Sequence, residues 1–316
     1  MRQLSFASVG FDRFGKTTRR AAFLSKMDAV VPWQRLYGLI APGYPKPGKG
    51  RCPVGLDRIL RIYFLQHWFG LSDPAAKEAL YDSEVMRRFV GIDLGREPVP
   101  DETTILNFRH LLERHELCGE TLREVNEYLA TRALRISTGT IVDATIVHAP
   151  SSTKNEAKTR DPKMHQTRKG NQWFFGMKAH IGVDSKTRLI HAVAATAANA
   201  HDSTVLEDPL HGDKTRVWGD QAYRGQREVI RRCAPRAGDV TNRRCKVKGV
   251  VDEAEKAKNQ RKSKVSARAE RCFGVMKRVL GSTKVRYLGI NRNADWLFAC
   301  CTLVNLFLVR PKLLHG

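Results

Sequence analysis

The chain has 316 residues, 42% of them hydrophobic, with a formal net charge of +23 and a pI near 10.1. That length allows two or three domains with a sizeable core, and the apolar share excludes a disordered chain. The charge calls for an anionic partner, nucleic acid before a membrane surface, and the excess of Lys and Arg is concentrated after residue 139. None of the 7 cysteines forms Cys-x-x-Cys, so a zinc site is not expected. An odd cysteine count without a signal peptide suggests reduced thiols in a cytoplasm.

Residues 1–50 read as an irregular segment with one helix, roughly Arg19 to Leu39, broken near Pro32. Ala41 to Gly50 is a Pro/Gly linker with lysines, expected to be exposed and suited to lie on DNA. Residues 51–136 read as a helical domain. Leu56, Ile59, Leu60, Tyr63 and Phe64 recur at helical spacing. Ser72-Asp73-Pro74 starts a helix, with Asp73 as cap and Pro74 in the first turn, that carries Leu80, Val85 and Phe89. Pro100 to Thr104 starts another, with Ile105, Phe108 and Leu112 on one face. The pair is compatible with a helix-turn-helix or with a small bundle that makes no base contacts.

From 137 to 316 the pattern changes to strands and helices. Thr140 to His148 is β-branched and apolar, a strand buried on both faces, with Asp143 at its centre. A basic loop runs from Ser151 to Gly170. Trp173 to Val183 alternates, with Lys178 and His180 facing away from Trp173, Phe175 and Met177. Asp184 to Thr187 is a turn into a third strand, Leu189 to Thr196. Asn199 to Asp202 caps a helix reaching about Leu210. Arg216 to Gly219 is a short strand that ends on Asp220, followed by a helix from Gly225 to Cys233 and a strand from Asp239 to Lys246. Residues 252–280 form a long basic helix or a helix pair, and Ala294 to Leu308 closes the chain as an apolar helix. Its uncharged run, Trp296 to Val309, is short for a membrane span.

That element order matches an α/β fold, a ribonuclease H-like mixed sheet flanked by helices, preceded by an all-α N-terminal domain. In such a sheet the first and fourth strands are neighbours, which would bring Asp143 and Asp220 together. A lone buried carboxylate is costly, so Asp143 should be paired, hydrogen-bonded or metal-bound. Asp220 lies where a strand meets a loop, the edge at which open α/β sheets bind ligands. Glu270 and Lys277 share one helix face. Each has a plainer reading: Asp143 as a structural acid, Asp220 as a turn residue, Glu270 as one glutamate on a charged helix. Their joint order favours a metal site. Phosphodiester oxygens repel nucleophiles, and two divalent ions roughly 4 Å apart can offset that charge. Mg²⁺ prefers a few carboxylates with phosphate and water oxygens, and Mn²⁺ can substitute. His180, His191 and His201 lack matching partners as ligands and read as structural or DNA-facing. Lys154, Lys158, Arg160, Arg168 and Lys169 read as a plain solvated loop or, next to Trp173 in a basic domain, as phosphate contacts, and the stretch 256–264 carries the same two readings.

Longer motifs add a resemblance. Arg2 to Phe6, Leu71 to Ala75, Glu78 to Asp82, Pro100 to Arg109, Gly139 to Ile146, Gly219 to Tyr223, and above all Asp161 to Asp184, resemble bacterial insertion-sequence transposases of the DDE type, of the IS-five family. The resemblance implies Asp143, Asp220 and Glu270 as catalytic metal ligands, Tyr223 shaping the loop after the second acid, and Lys277 touching DNA near the cut. Lys154, Arg168, Lys169, Trp173, Lys178, Tyr223, Arg224, Lys277 and Arg278 are the expected DNA-binding set. The implied partners are the double-stranded DNA of the element ends and of the target, with at least a homodimer on DNA. The setting is a bacterial cytoplasm, on the nucleoid. A decayed copy acting as a repressor, or a nuclease without strand transfer, are the alternatives. Two places depart from the family pattern: Ser266 where arginine is common, and Arg271 where histidine is common.

Overall fold

The computed structural model describes residues 16–48, 52–132, 134, 139–154, 156, 158–210, 214–247 and 250–315. The Arg2–Phe6 motif and the end of the Pro/Gly linker lie outside them. Of that linker, Ala41–Gly43 forms a 3-10 turn and the described residues after it have no regular structure.

The first part is helical. Helix α1 (Arg19–Val30) starts where Thr18 accepts from the Ala21 N–H, and Pro32, without an N–H, separates it from α2 (Trp33–Ile40). Helix α3 (Leu56–Phe69) is buried nearly all round, which makes it the central helix of this part. It stops at Gly70, whose φ of 64° admits a residue without Cβ most readily. Ser72, rather than Asp73, caps α4 (Asp73–Asp82): its hydroxyl accepts from Ala75 N. Asp73 instead turns inward to Arg109 and Gln66. Ser83 ends α4 and caps α5 (Glu84–Val90), so the single helix expected there is two. Asp101 caps α6 (Glu102–Arg114), which buries Ile105, Phe108 and Leu112 as its spacing predicts, and α7 (Leu117–Thr131) follows.

The second part is a mixed sheet. Strands β1 (Gly139–His148), β2 (His165–Lys169), β3 (Gln172–Asp184), β4 (Ile190–Ala197), β5 (Arg216–Trp218) and β6 (Gly238–Asp239) form it. The long strand β3 lies antiparallel to β1 on one side. On its other side it pairs with β2 near its start and with β4 further along. Beyond β1 come β5 and β6, both parallel. The close approach of β1 and β3 requires Gly176, where a Cβ would sit 2.1 Å from the Val147 carbonyl oxygen.

Several expectations are corrected. The loop 151–170 contains β2, which the polar sequence hides because its partner is the adjoining β3. The helix expected over 199–210 is only a 3-10 turn, Asp202–Val205, and Pro209 disfavours helical backbone at Asp208. The strand expected over 239–246 reduces to β6 plus a separate hairpin, β7 (Lys246–Val247) with β8 (Val250–Val251). Strand β1 is fully buried at Ile141, Val142 and Val147, but Asp143 to Ile146 are half-buried. Between β5 and β6 lies α8 (Arg227–Cys233), and α9 (Glu253–Arg278) and α10 (Ile290–His315) complete the chain.

Side-chain alternation along β1 assigns its two faces. Val142 joins Leu206, Leu210, Val217, Tyr223 and Ile230 in a small cluster beneath α8. Ile141 and Val147 belong to the main core, which runs without a break from α1 through β3 and β4 to α10. Helix α10 is longer than expected and, by length and composition alone, could cross a membrane. Yet 56% of its apolar window is buried inside the protein, against α1, α7 and β4. Its Asn305 accepts from the Ile190 N–H and donates to the Ile190 carbonyl and to Asn126 Oδ1.

Candidate active site

Strand register brings two acids to one level. In the parallel pair β1–β5, Ile141 stands beside Trp218. Two residues further along come Asp143, on the face of β1 that Ile141 occupies, and Asp220, in the loop just past the end of β5. Helix α9 packs over β1 on that side. Its Lys277 Nζ donates to Thr145 Oγ1 at 2.6 Å, which fixes the helix to the strand beside Asp143. Glu270 is exposed two turns earlier.

The electrostatics carry the mark of this convergence. Burial pushes the Asp143 carboxyl up to about 7, the Ala144 N–H holds it down, and the charges of Asp220 and Glu270 push it further up. Lys169, at the tip of the β2–β3 hairpin, acts on the same carboxyl in the opposite sense. Lys277 is lowered by burial first and then by Lys169, while Asp143 raises it. Asp220 holds its own loop: its Oδ1 accepts from Ala222 N at 2.9 Å and caps the turn Gln221–Tyr223. Among the described residues no cation is in ion-pair contact with any of the three acids. Neither do any three His, Cys, Asp or Glu side chains close tightly enough to grip an ion by themselves. Bare carboxylates repel, and an ion with its phosphate and water oxygens is what would draw them together.

The chain itself matches known families over both parts. The family described as Transposase DDE domain matches residues 135–306, more than half of the chain. The chain belongs to that family. A second, described as Transposase domain (DUF772), matches residues 12–111. No solved structure matches the transposase. The family generally uses divalent ions. The donor set here suits them: three hard carboxylates, one of them desolvated and uncompensated, with amine donors alongside rather than in contact.

The expected DNA contacts separate into two groups. Lys154, Arg168, Lys169, Trp173, Arg224 and Arg278 are exposed, and Trp173 is 66% exposed beside the basic hairpin turn. Lys178 and Tyr223 are engaged within the protein itself. Lys178 bonds Asp202 at 2.8 Å and the Ala200 carbonyl at 2.7 Å, and Tyr223 is 2% exposed, pressed against Val142 in the small cluster. Both therefore shape the loops beside the site. Each of the three histidines has a hydrogen-bond partner within the protein: His180 bonds Thr196 and is lowered to about 4 by burial, His191 bonds Thr140, and His201 bonds Ser203. Arg268 donates to the Ser185 carbonyl in the β3–β4 turn, so it braces α9. Sequence reasoning missed Thr145 as the anchor of Lys277 and Arg244 as a neighbour of the Asp220 loop. Both depend on pairings between distant segments that leave no local signal.

Proposed function

We propose that the transposase binds the terminal inverted repeats of an insertion sequence, cuts DNA strands at those ends and joins them to a target, using Asp143, Asp220 and Glu270 to hold Mg²⁺ or Mn²⁺. The electrostatic coupling of Asp143 to both other acids, on one face of a transposase DDE domain, carries this reading. The sheet order β4-β3-β1-β5-β6 supports a ribonuclease H-like assignment. When bound, the ions would neutralise phosphodiester oxygens and favour ionisation of the attacking water or hydroxyl. Asp143 sits at the desolvated centre, where its charge becomes favourable only beside a cation. Lys277, steadied by Thr145, sets a positive charge next to the reacting phosphate. Lys169 and Arg168 on the hairpin, Lys154, Trp173, Arg224 and Arg278 supply the surrounding grip on the backbone. The proposed division is 1–50 as segment and linker, 51–136 for DNA binding or assembly, and 137–316 for catalysis. Cutting two ends together calls for at least a homodimer on DNA.

The test uses a duplex taken from the DNA flanking the gene, with Mg²⁺ present. Asp143→Ala, Asp220→Ala and Glu270→Ala each should abolish cleavage and keep duplex binding. Cleavage at the parental rate in any of the three would remove that residue from the site.

A further inference from the structure

Beside the Asp220 loop lies an open cleft of about 420 Å³ lined by His201, Gln221, Ala222, Arg224 and Arg244. Its polar lining consists of two guanidiniums, an imidazole and an amide, with no carboxylate among them. We propose that this cleft is a second phosphate site, which holds a DNA backbone phosphate adjoining the one that is cut. The proposal rests on the transposase acting on DNA, as above, and assigns part of that contact to a defined place.

Three observations argue for it. First, neither Arg224 nor Arg244 has an ion-pair or hydrogen-bond partner for its guanidinium among the described residues. Elsewhere arginines are routinely engaged: Arg58 by Glu97, Arg61 by Asp28, Arg109 by Asp73. Two uncompensated guanidiniums on one cleft repel each other, and an anion between them turns that repulsion into attraction.

Second, the backbone on both sides is held in place. Asn242 N donates to the Gly219 carbonyl at 3.0 Å, which fastens the Arg244 segment to the residue before Asp220. On the other side Arg243 N donates to Asn259 Oδ1, and Asn259 Nδ2 donates to the Arg243 carbonyl at 2.7 Å, so α9 clamps the same segment. Arg224 closes the turn that Asp220 opens. The imidazole of His201 is steadied through Nδ1 by Ser203 Oγ at 2.7 Å. Such anchoring reduces the ordering needed when an anion arrives.

Third, the chemistry is selective for phosphate over a base. Arginine offers paired N–H donors that match two phosphate oxygens. A base pocket would need an aromatic or apolar wall, and Ala222 is the sole apolar lining residue. Because Gln221, Ala222 and Arg224 belong to the loop that Asp220 opens, a strand whose reacting phosphate meets Asp220 brings a neighbouring phosphate to the cleft.

Salt-dependent binding tests the assignment. A short fluorescein-labelled duplex of arbitrary sequence is titrated with full-length protein at several NaCl concentrations, and log K is plotted against log[NaCl]. Arg224→Gln and Arg244→Gln each should reduce the steepness of that plot by about 1, and the double variant by about 2. Arg123→Gln, which breaks an exposed ion pair with Glu120 on α7, removes the same charge and should keep the parental slope. All three arginines are exposed, so the variants keep the fold. Parental slopes in both cleft variants, or an equal fall in Arg123→Gln, overturn the second phosphate site while leaving DNA binding intact. No duplex binding by the parent would instead overturn the DNA reading and this site with it.

Discussion

Asp143 is a carboxylate set in a central strand between Val142 and Ala144 with no cation in ion-pair contact among the described residues, and this makes the protein's stability depend on pH. Its folded-state carboxyl is raised to about 7. In an unfolded chain an aspartate loses its proton near pH 4. Between those values the native state holds a proton that the unfolded state has released, so stability falls as pH rises from about 4 to about 7 and levels off above. Asp143→Asn removes that contribution. Urea midpoints in EDTA, taken near pH 5 and near pH 8, should therefore drop in the parent and drop less in the variant. Mg²⁺ should raise the parental midpoint near pH 8 and leave the variant's nearly unchanged, since a ligand bound only to the native state stabilises it. An identical pH response in both proteins would contradict the burial of this charge. The oddity of Asp143 was readable beforehand because an acid interrupts a β-branched run. The guanidinium of Arg244 was not, because only the folded chain shows that nothing among the described residues pairs with it.

At the scale of elements, legibility followed length and periodicity. Strands β1 and β3 and helices α3, α6 and α9 carry their own pattern of apolar residues, and each appears where that pattern puts it. Strand β2, with five polar residues, and β6, with only Gly238 and Asp239, exist because a neighbouring strand offers hydrogen bonds, and no local pattern announces that. The 3-10 turn Asp202–Val205 began with a sound cap but had Pro209 too close for a helix. Helix α10 was underestimated because Arg292 and Lys312 lie near its ends, while its middle makes the link to the sheet. That link depends on Asn305, which is fully buried and serves both backbone groups of Ile190. Asn305→Ala would leave the Ile190 N–H and the Asn126 Oδ1 without those partners. Stability should fall by about 2–4 kcal/mol, read as a lower urea midpoint at unchanged slope. A loss below about 0.5 kcal/mol would mean that water replaces the amide.

The whole molecule reads as two sequence parts joined by one core. The charge asymmetry and the change from helical to strand patterning near residue 137 marked the parts, but no residue pattern showed how they are fastened. Arg109 of α6 supplies the fastening. It donates to both oxygens of Asp73 and, at 2.8 Å, to the Tyr287 hydroxyl, and its guanidinium lies 4.2 Å from the centroid of the Tyr287 ring. Next to it the buried His67 of α3 stacks on Trp296 of α10, with ring centroids 3.6 Å apart. Arg109→Met keeps most of the aliphatic bulk and removes the charge. Asp73 is then left with Gln66, and Glu113 loses its closer guanidinium, so about 3–5 kcal/mol of stability should be lost. The way it is lost separates two pictures. If the continuous core makes one cooperative unit, hydrogen exchange followed by mass spectrometry should show faster exchange by the same factor in the most protected peptides of α3 and of β3. If each part is stable alone, only α3, α4 and α6 should respond while β3 keeps its parental protection. The apolar surface of α10 shared by α1, α7 and β4 favours the first result, because neither part can expose that surface to water without losing much of its own burial.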